Sequence, residues 1–324
     1  MKGVAHISMD DFILQNDNEN VNRYENILQG NPLNSLMNVS DRNLNIEIER
    51  TTGLIQIETK IATAKINGIL IQIKNYDSLN INTTTFRFLD FILLKMCKHL
   101  PYNRKELIDD SKISTMKLIK ISITNFMAIC DLSNVARTKL QMQNSLEVLK
   151  NIKLLWYEKI FKKKKIEYLN FAMNIVNDFK SVRGGFIIQF DLNFLRYLSS
   201  YSYIMPFNMK LLQVDLNRYS NSYLIARKIL THLNMNQRKS NQNIISVKSL
   251  LEVCDIPTHS EILNSNNRGV KRLIITPFEK AMNHLKDINF LNDWNYQNDI
   301  SDFTNWLKSN VLFIIKNYPF KVIP

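Results

Sequence analysis

Apolar residues recur at every second position from Leu44 to Ile73 and at every third or fourth position from Thr83 onwards, so the chain must lay down a small sheet before its first long helix. The alternating set is Leu44, Ile46 and Ile48, then Leu54, Ile55 and Ile57, then Ile66, Ile69, Ile71 and Ile73, with Gly53 and Gly68 at turns. It predicts an antiparallel β element over residues 44–82. Thr83–Thr85 then offers a cap to a helix whose apolar face is Phe88, Leu89, Ile92, Met96 and Leu100, ending before Pro101. Residues 1–43 are polar and Asn-rich apart from one short apolar cluster, and read as a mobile arm.

Beyond the first helix, LIKISI (118–123) reads as a strand and Thr124–Asp131 as a short helix. A turn at Leu132–Ser133 follows, then a longer helix capped by Ser133. Its buried stripe is read as Val135, Met142, Leu146, Leu149 and Ile152, which leaves Asn134, Arg137, Thr138 and Gln141 on the open face. Two helices joined by a tight turn, the second polar and basic at its start, suit insertion in a major groove. Leu154–Ile160 and Ile166–Ile175 read as a hairpin around Lys162, Lys163, Lys164 and Lys165, in the position of a basic wing.

The same order returns later. Helices are expected at Ser220–Leu233, at Ser246–Cys254 and from Asn266. On the third, Val270, Leu273 and Ile274 face inward, and Asn267, Arg268, Lys271 and Arg272 face outward. Thr276, Pro277 and Glu279 mark a kink or restart, and strands follow around 288–296 and 311–318. The duplication is one of architecture, with no residue-level repeat evident between the halves.

Charge narrows the class of partner. The 42 Lys and Arg exceed the 29 Asp and Glu by 13, and the surplus is local: residues 1–84 carry net −3 and residues 85–324 net +16. Such a field favours a polyanion. An AT-rich coding sequence would also enrich Lys, Asn and Ile, so composition alone does not settle DNA binding. Three cysteines, Cys97, Cys130 and Cys254, are too few and too far apart for a disulfide framework or a zinc site, and read as buried, reduced thiols. No run of about 18 apolar residues and no signal-like start is seen, which implies a soluble, cytoplasmic chain without membrane contact.

Enzyme signatures are missing. The adjacent pair Gly184–Gly185 is followed by Phe186 instead of the Lys-Ser/Thr of a P-loop, and the five histidines are solitary. Asp10–Asp11 and Asp109–Asp110 suit solvated loops better than a metal site. No catalytic residue, metal or cofactor is assigned. A bare lysine run is ordinarily a solvated turn, and polar residues on one helix face are common. Their succession, a helix with Arg137 and Gln141 and then four lysines, gives the basic features meaning: Arg137, Gln141, Arg268 and Lys271 approach base edges while Lys162–Lys165 hold phosphates.

The segments NRYSNSYLIARKILTHLNMN (217–236), NIISVKSLLEVCDIPTHSEI (243–262), RGVKRLIITPFEKAMNHL (268–285) and FIIKNYP (313–319) resemble replication initiator proteins of plasmids and integrative mobile elements from low-GC Gram-positive bacteria. ISITNFMAICDLSNVARTKLQMQNSLEVL (121–149) and GFIIQFDLNFLRYL (185–198) are similar to the same family, so the likeness covers residues 83–320. NRYSNSY departs from it by lacking a proline before the 220–233 helix. The resemblance implies an initiator that binds repeated origin DNA, opens adjacent duplex and recruits host helicase and polymerase, with a homodimer through its first unit by analogy. The expected fold is α+β: a mobile arm (1–43), a small N-terminal β element (44–82), a first winged-helix domain (83–190), a linker (191–216) and a second winged-helix domain (217–324). A transcriptional repressor of a mobile element would share the DNA contacts. An origin nickase is the remaining alternative.

Overall fold

The computed structural model describes residues 5–6, 23–39, 44–50, 58–76, 81–100, 110–162, 165–258, 260, 262, 269–298, 302–315 and 317–319. The fold is mixed α+β and divides into two compact units, residues 1–17 with 27–204 and residues 18–26 with 205–324.

The segment expected to be a mobile arm contains β1 (Ala5–His6), β2 (Tyr24–Gln29) and α1 (Asn31–Met37). Pro32 lies in the first turn of α1, where its missing N–H costs nothing, and Leu33 and Leu36 are completely buried. The short apolar cluster is therefore core, and the arm reading is corrected for residues 23–39. The remainder of the arm lies outside the described residues.

Strands β3 (Asn45–Arg50), β4 (Glu58–Ile66) and β5 (Ile69–Lys74) form the expected antiparallel meander. Asn67 and Gly68 turn the β4–β5 hairpin with positive φ at both residues, 51° and 79°. Next come α2 (Thr83–His99), α3 (Asp110–Ile113), β6 (Leu118–Ser122), α4 (Ile123–Cys130) and α5 (Val135–Asn151). They are followed by β7 (Ile152–Lys162), β8 (Lys165–Asn174), β9 (Val176–Val182), β10 (Gly185–Phe190) and α6 (Leu192–Ser200). Helix α2 is capped by Asn82, whose side chain accepts from the Thr85 N–H at 3.0 Å, so it begins before the threonines expected to cap it.

The β element is not separate. Strand β5 pairs with β7 from Ile73↔Ile152 to Leu70↔Leu155, giving a five-stranded sheet in the order β3-β4-β5-β7-β8. A three-stranded meander leaves an unpaired edge, and β7 fills it while Ile71, Ile73, Leu154 and Trp156 bury their side chains. The second sheet has the order β1-β6-β10-β9, β1 lying parallel to β6. Helices α2, α4 and α5 share a core in which the Phe126 ring meets Phe88 and Phe91 edge-on at 5.3 and 5.0 Å, with Met142, Leu146 and Leu149 beneath.

The span expected to be a linker, 191–216, is structured: it holds α6, β11 (Tyr203–Asn208) and a 3₁₀ turn (Met209–Gln213). The second unit continues with α7 (Leu216–Met235), whose helical geometry breaks at Tyr219, then β12 (Ile244–Ser246) and α8 (Val247–Leu251). A π-helical turn (Lys271–Ile275) runs into α9 (Thr276–Asp287), so the predicted kink at Thr276 is a change of helical pitch. Strand β13 (Leu291–Tyr296), α10 (Phe303–Lys308) and β14 (Asn310–Ile315) complete it. The sheet order is β12-β14-β13.

Residue-level repetition, absent from the sequence reading, becomes plain once the strands are placed. Residues 121–132, ISITNFMAICDL, align without a gap on 245–256, ISVKSLLEVCDI, sharing Ile, Ser, Cys and Asp. In each unit the serine ends a strand and caps the next helix: Ser122 Oγ accepts from Asn125 N at 3.4 Å, Ser246 Oγ from Ser249 N at 3.2 Å. The next N–H, Ile123 or Val247, donates to the carbonyl just before the unit's last strand, Gly184 or Ser309, at 3.0 Å in both. That last strand, β10 or β14, is central between the other two. Cys130 and Cys254 are buried free thiols, and burial pushes the Cys130 thiol up to about 12, whereas Cys97 is half-buried.

Candidate nucleic-acid interface

Helix α5 starts one residue later than expected. Asn134, not Ser133, is its cap, and Asn134 Oδ1 accepts from the Arg137 N–H at 2.9 Å. The Asn134 side chain is thus engaged with the backbone. Thr138 is 2% exposed and its hydroxyl donates to the Asn134 carbonyl at 2.8 Å, which corrects its assignment to the open face. Gln141 is half-buried at the edge of that face, and Arg137 is exposed on it. Val135, expected inside, is 56% exposed, because the first residue of a helix has no preceding turn to pack against.

These shifts have one cause. The buried positions are Thr138, Met142, Ser145, Leu146, Val148 and Leu149, so the opposite face is centred on Ala136, Leu140, Gln143 and Asn144, flanked by Arg137 and Lys139. Sequence reasoning missed Lys139, Leu140, Gln143 and Asn144. The expected stripe already implied this face: Thr138 stands four residues before Met142, on the buried row, and Val135, seven before it, shares that row but lies at the exposed helix start.

The ribbon that pairs directly with this three-helix unit is β9–β10, not β7–β8. Strand β10 runs antiparallel to β6 from Gly185↔Ser122 to Gln189↔Leu118, and its other edge takes β9. The turn between them is Arg183–Gly184, with Gly184 at φ 78°. Lys180, Arg183 and Lys139 are exposed and have no acidic partner among the described residues. A β-carbon on Gly185 would fall on the Ile121 carbonyl oxygen, so glycine is what lets the ribbon close on β6. The signal in the sequence was the Gly184–Gly185 pair, read there only as a missing phosphate loop.

Lys162 and Lys165 pair as the last register of β7–β8, in the five-stranded sheet. Lys163 and Lys164 lie outside the described residues, as do all four lysine side chains. The structure therefore places the hairpin expected to be a wing on the other sheet.

A clip joins each long helix to its ribbon. Lys150 Nζ reaches Asp178 Oδ1 at 2.7 Å, and Lys286 Nζ reaches Asp293 Oδ1 at 2.9 Å. The lysine beside each carboxylate holds it below its ordinary range. The helices also bury the same pattern, Met142, Ser145, Leu146 and Leu149 in α5 and Phe278, Ala281, Met282 and Leu285 in α9. Matching these sets pairs Lys150 with Lys286, Leu140 with Thr276, Asn144 with Lys280, and Ala136 with Arg272.

In the second unit Lys271 and Arg272 are exposed on the π-helical turn, and Asn267 and Arg268 lie outside the described residues. Thr276 and Lys280 continue the exposed face. Part of it is occupied by β13: Tyr296 Oη donates to Glu279 at 3.2 Å and Trp294 Nε1 to Asn283 at 3.0 Å. Thr276, Pro277, Lys280 and Ala281 line a groove of about 260 Å³ with Arg218, Tyr219, Asn221 and Ser222. Trp156 and Trp306 are buried, and Trp294 is half-buried.

Among the described residues no three His, Cys, Asp or Glu side chains converge as a metal-holding group, and no helix is long and apolar enough to cross a membrane. No family model and no curated protein matches the chain. Among solved structures, the chain is similar to the Pi initiator protein, crystallised in complex with iteron DNA, at 13% identity and a TM-score of 0.46 over 75% of this chain and 94% of that one. It is also similar to domains 2–3 of RctB, at 9% identity and a TM-score of 0.38 over 85% of this chain and 92% of that one.

Proposed function

We propose that the chain is a sequence-specific double-stranded DNA-binding protein made of two winged-helix units, and that it initiates replication of a plasmid or mobile element by binding repeats at its origin. The observation that carries this reading is the twice-built frame of helix, strand, helix, helix and two-stranded ribbon, in which the long helix before each ribbon exposes basic and polar residues. In the first unit α5 enters the major groove with Arg137, Lys139, Gln143 and Asn144 along the base edges, Arg137 suited to guanine and Gln143 and Asn144 to adenine. Lys180 and Arg183 on the β9–β10 turn, the wing in this reading, hold flanking phosphates. In the second unit Lys271, Arg272, Thr276 and Lys280 take the corresponding place.

The initiator role rests on the sequence resemblance over residues 83–320. In it the chain works by binding, opening adjacent AT-rich duplex and recruiting host helicase and polymerase, with no bond cleaved by the chain itself. Footprinting on DNA flanking the native gene tests the binding: protected repeats with a spacing of about one helical turn are expected. Uniform protection along the DNA would defeat sequence-specific recognition. A replicon carrying those repeats, supplied with the protein in trans, should be maintained; loss of the replicon despite intact footprints would favour the repressor reading. Relaxation of supercoiled repeat DNA by the purified protein with magnesium would establish a nickase.

A further inference from the structure

The first half of the exposed face of α5 has an apolar centre. Leu140 is 58% exposed, Ala136 lies one turn before it on the same row and is also exposed, and Val135 stands 56% exposed at the helix start. The core does not need them, since Thr138, Met142, Leu146 and Leu149 already fill the inner face. A lone exposed leucine is ordinary on a protein surface. This one is framed by Arg137, Lys139, Gln143 and Asn144, in a patch whose charge complements phosphate. In a major groove the edges of guanine, cytosine and adenine are polar, and the apolar group on offer is the C5-methyl of thymine.

Resting on the groove-helix reading of α5, we infer that Leu140, with Ala136 behind it, is a specificity determinant that reads a thymine methyl. The matching positions in the second unit are Thr276 and Arg272, where a single threonine methyl replaces the isobutyl group of Leu140, so the larger methyl contact belongs to the half of the site bound by the first unit. The chain then distinguishes its two half-sites chemically, although their frames are alike.

The experiment uses the full chain and a duplex selected by it from a random-sequence pool. Each thymidine is replaced in turn by deoxyuridine, which removes the methyl and keeps the base pair. At one or two positions, all in one half-site, affinity should fall about threefold to fivefold. Leu140→Ala should show the same loss on the thymidine duplex and become indifferent to uridine at those positions. Leu140 is exposed, so the variant should unfold at the wild-type temperature. If no uridine replacement weakens wild-type binding while Arg137→Ala still does, the methyl inference is overturned and the groove helix stands. If neither Arg137→Ala nor Leu140→Ala changes binding to the selected duplex, the groove-helix reading itself fails, and the inference with it.

Discussion

At Gly185 the backbone of the ribbon meets β6 with no room for a side chain, whereas its neighbour Gly184 faces open space but holds φ at 78°. The two glycines are therefore needed for different reasons, and their alanine variants should separate. Gly185→Ala forces β6 and β10 apart and should cost about 1–3 kcal/mol, as overpacking does. Gly184→Ala should cost about 1 kcal/mol, from the left-handed backbone alone. Urea midpoints of the two variants check the order. A second pair of residues separates binding from packing. Arg137→Ala should alter the DNA sequence preferred with little change in stability, and Thr138→Ala should destabilise α5 while leaving the preferred sequence intact. Selection from a random duplex pool and thermal unfolding read the two effects. Thr138 illustrates what residue type alone hides: a polar residue flanked by polar residues gives no sign in its chemistry that it faces inward. Its spacing does show it: Thr138 stands four residues before Met142 and eight before Leu146, on the row they bury.

At the scale of elements, those with strong local periodicity were legible, whereas β1, β2, α1, β9 and β11 were not. Strand β6, the α4 turn α5 pair, the β7–β8 hairpin and the restart at Thr276 all lie within a residue or two of their expected places. Pairing between strands distant in sequence was not legible. Nothing in the spacing of Leu118–Ser122 says that its partner is Gly185–Phe190, or that β7 will close the edge of β5. The lysine run at 162–165 pointed to β7–β8 as the wing because a charge run is conspicuous, whereas the Gly-Gly turn of β9–β10, the hairpin paired with β6, is not. The internal repeat escaped notice for a related reason: it spans twelve residues, after which the two units diverge in loop length. Ribbon assignment is open to a direct comparison. Replacing Lys180 and Arg183 by alanine should reduce the slope of log affinity against log salt by about 0.9 per lost phosphate contact. If instead only the Lys162–Lys165 quartet moves the slope, the phosphate-holding ribbon is β7–β8.

For the molecule as a whole, acid is expected to weaken the second unit through two histidines. His232 and His284 both lie in the second unit, and burial is the main cause holding each imidazole below its ordinary value of 6.5. The ring of His284 stacks on Tyr219 at 3.7 Å, which keeps it from water. The unfolded chain takes up these protons near pH 6.5 and the folded chain only lower. Their contribution is therefore complete above that value and is lost progressively as pH falls through the folded values. Trp294 and Trp306 report on the second unit and Trp156 on the first. Thermal unfolding followed by tryptophan fluorescence should show the second unit losing stability below about pH 6.5, and His284→Gln should blunt the loss. A pH-independent transition for the second unit would contradict it.

The second unit is also assembled from two stretches far apart in sequence. Arg23 gives its carbonyl to the Met209 N–H at 2.9 Å and Tyr24 sets its ring edge-on to Tyr318 at 5.7 Å, in a unit formed by residues 18–26 and 205–324. On the ribosome those early residues emerge long before the partners they need. At roughly 5–20 residues per second, the closing stretch takes about 6–24 s to synthesise, during which Tyr24 must wait. The first unit can mature while residues beyond 204 are still being made, but the second is complete only once Tyr318 has emerged, so products cut short before that residue should retain the earlier unit and lack a finished later one.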